Sequence, residues 1–382
     1  MNILLLSAYD ADSHQYWRKG LVSSFPEHQW TVLSLPGRYF SWRIRGNSLS
    51  WAYGDQAEKL KQQYDLVIAT SMTDLSSLRG FIPSLADIPT LVYFHENQFD
   101  YPATERARKN VEPQILNIYT ALAADQLAFN SQYNLDTFIE GASALLKKLP
   151  DQVPANITTL LTAKSQVLPV PLTRNQYGTT ETPPQIAWDK YQAQRIDSRP
   201  VLIAWAARWE YDKGPQRLLA IVRQLESTQV DYRLCIMGQK FRQVPPEFEQ
   251  LQQQFSHRID QFGYAQSADE YRAWLHSADI FLSTAVHEFQ GLAVLEAVAQ
   301  NCMPALPKRL VYPELFADNC LYDCKADILS EASSAVTLIK TQRLALANNS
   351  LCRPEINLYW DNLKPAYAQL MSETILAKVN NR

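Results

Sequence analysis

Apolar runs of four to six residues, each followed by a longer stretch of helical period, recur along this chain in two series. In the first half the runs are Ile3–Ser7, Trp30–Leu35, Leu66–Thr70, Thr90–Phe94, Gln126–Phe129 and Gln166–Pro169, with helical stretches such as Val111–Ala123 and Tyr133–Ile139 between them. In the second half they are Val201–Ala206, Arg233–Met237, Arg258–Phe262 and Asp279–Thr284, interleaved with helical segments at Pro215–Leu225, Ala268–Ser277 and Leu292–Gln300. Strands alternating with helices in this way are the pattern of an α/β fold built on parallel sheets. Around Val170–Pro184 the periodicity stops and prolines, threonines and polar residues take over, which reads as a linker. The expectation is two Rossmann-like, doubly wound domains over residues 1–175 and 185–355, facing each other across a cleft, with ligands beyond the carboxyl ends of the strands. The remaining residues, 356–382, include an amphipathic stretch over Asp361–Ala377 that could pack back on the first domain.

Glycine usage narrows the chemistry. Only 11 of 382 residues are glycine, and no two lie closer than the eight positions between Gly46 and Gly54. The G-x-G-x-x-G dinucleotide fingerprint, the phosphate loop and the G-x-S-x-G nucleophile elbow are therefore absent. Dehydrogenases, P-loop NTPases, protein kinases and α/β-hydrolases are disfavoured accordingly. The start, Met1–Ser7, lacks the basic flank of a signal peptide and reads as a buried strand. No stretch approaches the ~18 apolar residues of a membrane span, and the five cysteines are odd in number and scattered, as in a reduced compartment. A cytoplasmic protein is expected. The net charge of −3 neither requires nor forbids a polyanionic partner.

Two segments of the second half carry chemistry. Arg208-Trp209-Glu210-Tyr211-Asp212-Lys213-Gly214 directly follows a strand, where a guanidinium fork and an ammonium are suited to neutralising a diphosphate. Read alone, the same cations could simply pair with Glu210 and Asp212 at the surface. Thr284 to Glu296 follows a later strand, and Glu288 and Glu296 bracket seven residues. With a helix beginning near Gly291, the amides of Gly291 and Leu292 can hold a phosphate. Glu288 can then reach a sugar hydroxyl, and Glu296, about one turn into the helix, can accept from ribose hydroxyls. Together the pieces resemble the donor site of retaining glycosyltransferases of the GT-B fold, in the large family 4 group. The resemblance implies that Arg208 and Lys213 contact the diphosphate, Glu288 the donor sugar and Glu296 the ribose. It further makes Met237–Lys240, with Gly238 and Gln239, and the pair Gly263-Tyr264 candidates for the nucleobase. No metal or other cofactor is implied. Asp10-Ala11-Asp12 matches the D-x-D of metal-dependent transferases, but in the wrong architecture.

In the first half, Tyr93-Phe94-His95-Glu96-Asn97-Gln98-Phe99-Asp100-Tyr101-Pro102 gathers polar side chains at a strand end. A buried, satisfied histidine is one reading of His95; a contact to the donor sugar, which GT-B enzymes of this group often keep here, is the favoured one. Gly37 to Gly54 reads as a loop with Arg38, Arg43 and Arg45, five aromatic residues and no carboxylate. Arginines and exposed rings are how unpaired RNA bases and their phosphates are held, while a partly buried loop with aromatics in the core is the alternative. Arg106, Arg108 and Lys109 could extend a positive surface.

Phe94-His95-Glu96-Asn97-Gln98 with Tyr101-Pro102, Ser13-His14, Trp42-Arg43 with Arg45, Phe129-Asn130-Ser131, Arg208-Trp209-Glu210 with Asp212-Lys213, His287-Glu288-Phe289, and Pro307-Lys308 with Leu310-Val311-Tyr312-Pro313-Glu314 together resemble the tRNA-queuosine mannosyltransferases, a GT-B branch. That resemblance runs from the first strand to about Phe316. It implies a GDP-mannose donor, a queuosine-containing tRNA acceptor, and acceptor-side roles for Ser13, His14, Arg38, Trp42, Arg43, Arg45, Glu96, Asn97 and Gln98. Two departures stand out. Asp10-Ala11-Asp12 replaces a usual Gly-Gly, which brings negative charge toward the acceptor side, and Gln290 replaces a common aromatic. Competing readings are a GT-B enzyme with a saccharide or small-molecule acceptor, and a non-catalytic module that binds a sugar nucleotide or RNA.

Overall fold

The computed structural model describes residues 1–100, 111–174, 184–240, 243–325, 327–350 and 352–380. Tyr101, Pro102, Arg106, Arg108 and Lys109 lie outside the described residues. The chain falls into two compact units, one formed by Met1–Arg174 with Leu358–Arg382 and the other by Asn175–Asn357.

Six parallel strands build the sheet of the first unit: β1 (Asn2–Asp10), β2 (Gln29–Pro36), β3 (Leu66–Thr70), β4 (Thr90–Phe94), β5 (Gln126–Phe129) and β6 (Ser165–Val167). Their order is β2-β1-β3-β4-β5-β6. β3 and β4 are buried along their whole length, as strands covered by helices on both faces must be. The register of β1 against β2 shifts between Ser7 and Asp10, so the end of β1 bends just before the helix Asp12–Ser24. The terminal helix Trp360–Asn380 packs on this unit. Its Tyr367 hydroxyl lies 3.0 Å from Trp17 Nε1 and donates to the carbonyl of Pro169. Gly20 leaves room for Trp360, whose Nε1 would stand 2.4 Å from a Cβ at that position.

The segment expected as an aromatic loop is a helix, Phe40–Tyr53. Its inner face carries Ile44, Trp51 and Ala52 together with the buried polar residues Asn47 and Ser48. Asn47 Nδ2 donates to the carbonyls of Arg43 and Met72, and its Oδ1 accepts from Asp74 N. A buried asparagine that bonds both its own helix and the loop after β3 satisfies itself at a position where apolar periodicity would otherwise show.

The second unit has β7 (Val201–Ala206), β8 (Tyr232–Met237), β9 (Ile259–Gly263), β10 (Ile280–Leu282), β11 (Met303–Pro307) and β12 (Leu321–Tyr322) in the order β12-β11-β10-β7-β8-β9. The strand order reverses between β7 and β10, which makes their carboxyl ends the topological switch point where such sheets bind ligands. A buried ion pair closes the opposite end: Arg199 forks onto Asp279, and Asp279 Oδ2 also accepts from Leu202 N. Among the described residues no helix is long and apolar enough to cross a membrane.

Candidate active site

The two signature segments of the second unit leave β7 and β10 at that switch point and are bonded to each other along their length. The carbonyl of Asp212 accepts from the amides of Val286 (2.9 Å) and His287 (3.2 Å). The Thr284 hydroxyl donates to the carbonyl of Lys213 at 2.7 Å and accepts from Trp205 Nε1 at 3.0 Å. This close approach requires Gly214, which has φ 67° and whose Cβ would fall 2.0 Å from the Thr284 oxygen.

Lys213 is at the centre. Its ammonium donates to the carbonyl of His287 (3.0 Å) and to Glu288 Oε2 (3.2 Å), and stands 3.2 Å from Asp212 Oδ2. Burial works against its charge, but Glu288 and Asp212 outweigh burial and the repulsion of Arg208, so its pKa rises. For Glu288, burial pushes the carboxyl up, and Lys213, with smaller help from His287 and the Gly291 backbone, more than offsets it, leaving the pKa lowered. Glu288 Oε1 also accepts from Phe289 N at 3.2 Å. Arg208 is partly exposed and leans on Glu210 Oε2 at 2.8 Å. Together with its influence on Lys213, this puts two cations on one site. Gly291, at φ 77°, caps the helix Leu292–Ala299. A small cavity beside it is lined by Lys213, Ser283, Glu288, Gly291, Val294 and Tyr312. Glu296, inside that helix, accepts from the Tyr271 hydroxyl at 3.1 Å. Burial pushes its carboxyl up although that hydrogen bond pulls the other way.

The residues expected around a nucleobase separate. Gly238 closes a tight junction, where a Cβ would lie 1.7 Å from the carbonyl oxygen of Ala207. Gln239, Lys240 and Tyr264 are exposed, and the Lys240 ammonium sits 4.9 Å from the Trp209 ring. Gly263 has φ 119° and open space where a side chain would be. Met237 is buried in the core and offers nothing to a ligand.

In the first unit, His95 is buried among rings: the centroid of His14 is 4.2 Å away, Tyr93 4.7 Å and Trp17 4.9 Å. Burial, with a smaller effect from His14, holds its pKa well below the usual histidine value. Its buried Nε2 has no hydrogen-bond partner. Ser13 is exposed at the start of the helix Asp12–Ser24, and Glu96 is half-buried. Asn97, expected on the acceptor side, is consumed by the fold. Its Nδ2 donates to Asn134 and Thr137, while its Oδ1 accepts from the amides of Phe99 and Asp100. Gln98 keeps a buried Nε2 without a partner. On the outer helix of this unit, Phe40–Tyr53, Trp42 is half-exposed, and just before it Arg38 stacks over Tyr39. Arg43 is half-buried with an unpartnered Nε. Arg45, by contrast, pairs with buried Asp74 at 2.9 Å and with Glu112.

The negative charge anticipated at Asp10 is cancelled, because Arg18 forks onto its carboxylate and Ser7 donates to it. Among the described residues no group of three histidine, cysteine or acidic side chains could hold a metal ion. Tyr271, the hydroxyl on Glu296, went unnoticed in the sequence; it lies in a helix remote from either segment, and no local pattern marks it.

Residues 2–172 match the family model described as tRNA-queuosine alpha-mannosyltransferase N-terminal, and residues 187–351 match glycosyl transferases group 1. A Drosophila melanogaster protein named tRNA-queuosine alpha-mannosyltransferase is 32% identical over 84% of this chain and 83% of its own. Among solved structures, the sucrose-phosphate synthase of Thermosynechococcus elongatus superposes with TM-score 0.68 at 14% identity, covering 98% of this chain and 99% of that one. The Anabaena protein HepE in complex with UDP gives 0.64 at 14% identity, over 97% and 99% of the two chains. At such identities the likeness concerns the fold, which is that of GT-B glycosyltransferases.

Proposed function

Because this chain belongs to the tRNA-queuosine alpha-mannosyltransferase family of glycosyltransferases, we propose that it moves mannose from GDP-mannose to the queuosine of the tRNA anticodon wobble position, with retention at the anomeric carbon. The observation that carries the donor half of this reading is the convergence of Lys213, Arg208 and Glu288 beside the helix start at Gly291. The family relationship carries the acceptor half.

The bond from the anomeric carbon to the diphosphate breaks as the sugar becomes oxocarbenium-like, and negative charge grows on the departing phosphate oxygens. Arg208, Lys213 and the amides at the start of Leu292–Ala299 are fixed where that charge develops, which is how such groups lower a barrier. Raised in pKa, Lys213 remains a cation throughout the physiological range. The acceptor hydroxyl attacks on the face the diphosphate leaves, and a phosphate oxygen takes its proton; no separate protein base and no metal are needed. Glu288 accepts from a hydroxyl of the donor sugar and Glu296 from the ribose. Held neutral by its aromatic surroundings, His95 serves as a hydrogen-bonding group for a substrate hydroxyl rather than as a cation. Arg38, Trp42 and Arg43 take RNA phosphate and base. A cytoplasmic location fits a tRNA acceptor.

The test is incubation with a panel of sugar nucleotides and with tRNA containing or lacking queuosine, followed by mass spectrometry of the nucleosides. Addition of one hexose to queuosine with GDP-mannose is expected. No addition with any donor removes the acceptor assignment.

A further inference from the structure

Arg309 and Glu331 lie outside both signature segments, yet they connect both halves of the donor site. Arg309 follows β11, next to Leu310, which has φ 59°. A leucine takes that left-handed conformation only when its surroundings enforce it. The guanidinium spends its donors on two partners at once. Nε donates to the carbonyl of Ala285 at 3.0 Å, while the two terminal nitrogens fork onto the Glu331 carboxylate at 3.1 and 2.8 Å. Glu331, on the helix Ile328–Ala347, is fully buried and also accepts from Arg217 Nε at 3.1 Å.

The positions of these partners matter. Ala285 lies three residues before Glu288, and Arg217 lies four residues after Lys213, in the helix Pro215–Ser227. One buried carboxylate is thereby tied through Arg217 to the helix that follows the phosphate cations, and through Arg309 to the loop that carries the sugar-facing glutamate. Tyr322 strengthens the same loop by donating to the carbonyl of Ser283 at 2.8 Å. A lysine could not replace Arg309, because a single ammonium lacks the planar fork that holds a carboxylate while a third N–H reaches a carbonyl.

We infer that Arg309 is a positioning residue for glycosyl transfer: clamped by Glu331, it fixes the Ala285 carbonyl and so aims the backbone from Val286 to Gly291, and with it Glu288, at the donor sugar. The catalytic readout rests on the proposed role of Glu288; the mechanical one does not. In the full-length, ligand-free protein, Arg309→Lys should increase amide hydrogen exchange over residues 286–291 by about tenfold, with other segments unchanged. It should also shrink the preference for GDP-mannose over GDP by roughly tenfold, because the lost contact is to the sugar and not to the diphosphate. A ratio of two affinities is insensitive to the fraction of protein that folds, so simple destabilisation would not move it. Should Arg309→Lys not fold, Glu331→Gln, which removes the negative charge shared by both arginines while keeping side-chain volume, is compared in the same way. Wild-type exchange over 286–291 together with an unchanged ratio overturns the inference. If the wild-type protein itself shows no preference for GDP-mannose, the donor assignment falls, and the exchange comparison alone decides on the brace.

Discussion

The Lys213 ammonium rests 3.2 Å from Glu288 Oε2 across 75 positions of sequence. The pair holds the two opposite charges of the candidate site together, each stabilising the charged form of the other. Glu288, with its pKa lowered, contributes stability above its unfolded value of roughly 4.3, and this is lost as pH falls through its folded pKa. Lys213, with its pKa raised, contributes stability below about 10.4, and this is lost as pH rises through its folded pKa. Both charges are in place across the neutral range.

Lys213→Met removes the ammonium proposed to face the leaving diphosphate and takes away the cation paired with Glu288. Hexose transfer should drop about 10²–10³-fold, the usual loss for one such donor, and the melting temperature should fall as well. Glu288→Gln should lose transfer while staying closer to wild type in melting temperature, because Lys213 keeps the His287 carbonyl and Asp212. Retention of most activity in either variant, measured by nucleoside mass spectrometry, removes the assigned role.

Arg208 behaves differently because it is partly exposed: it pairs with the similarly exposed Glu210 at 2.8 Å and reaches the more buried Asp212 only at 3.6 Å. Pairs of that kind contribute little stability, about 0–1 kcal/mol. Arg208→Ala should therefore melt like wild type and yet transfer at least about a hundredfold more slowly. A large fall in melting temperature with normal turnover would mark it as structural.

Most of what was legible in the sequence concerned strands. Leu66–Thr70, Thr90–Phe94, Gln126–Phe129 and Val201–Ala206 are strands with the expected bounds, because fully buried parallel strands must be apolar throughout. β11 was not foreseen: Pro304 and Pro307 occur in it, and prolines in a short apolar run argue against a strand. The helix Phe40–Tyr53 escaped because Asn47 and Ser48 occupy buried positions. In the candidate site, Arg208, Lys213 and Glu288 stand out in the sequence because their segments each follow a strand, and the fold brings Lys213 against Glu288 with Arg208 nearby. Asn97 looked equally functional, but its Oδ1 caps the amides of Phe99 and Asp100, a local turn that no composition reveals. Arg309 and Glu331 act through partners 22 and more positions away, beyond the reach of any spacing rule.

The outer helix offers a discriminating pair. Arg43→Glu should weaken tRNA binding and reduce its salt dependence, since phosphate contacts set that slope. Arg45→Glu acts on the fold instead, because Asp74 is buried and loses its cation. A loss of about 1–3 kcal/mol in unfolding free energy is expected. Filter binding at several salt concentrations, alongside denaturant melts, separates the two. The result that would sink the distinction is Arg45→Glu with wild-type stability.

His95 provides a pH signature. Its folded pKa is held below the unfolded value of about 6.5, so the unfolded chain binds a proton first. The stability linked to its neutral form is full above roughly pH 6.5 and is lost as pH falls toward the folded pKa. His95→Gln should lose that part of the acid destabilisation. Melting temperatures of the two proteins compared from pH 7.5 down to pH 5 should converge as pH falls; a constant offset contradicts it.

Gly214 ties the contact between the two segments to a single position. An alanine there meets two penalties at once, a φ of 67° and a Cβ 2.0 Å from the Thr284 oxygen. The obstacle is backbone, so it cannot rotate aside; the loop after β7 or the end of β10 must shift. Either movement breaks the bonds from Val286 and His287 to Asp212 and separates Lys213 from Glu288. Left-handed strain alone costs on the order of 1–2 kcal/mol, and the displaced hydrogen bonds add to it. Gly214→Ala should therefore lower the melting temperature and abolish GDP-mannose binding together. Gly80→Ala, where a Cβ meets nothing within 4 Å and the backbone is helical, is the control and should lower neither. Calorimetry on both variants decides the matter, and normal donor binding by Gly214→Ala would mean that the two segments need not touch for the site to work.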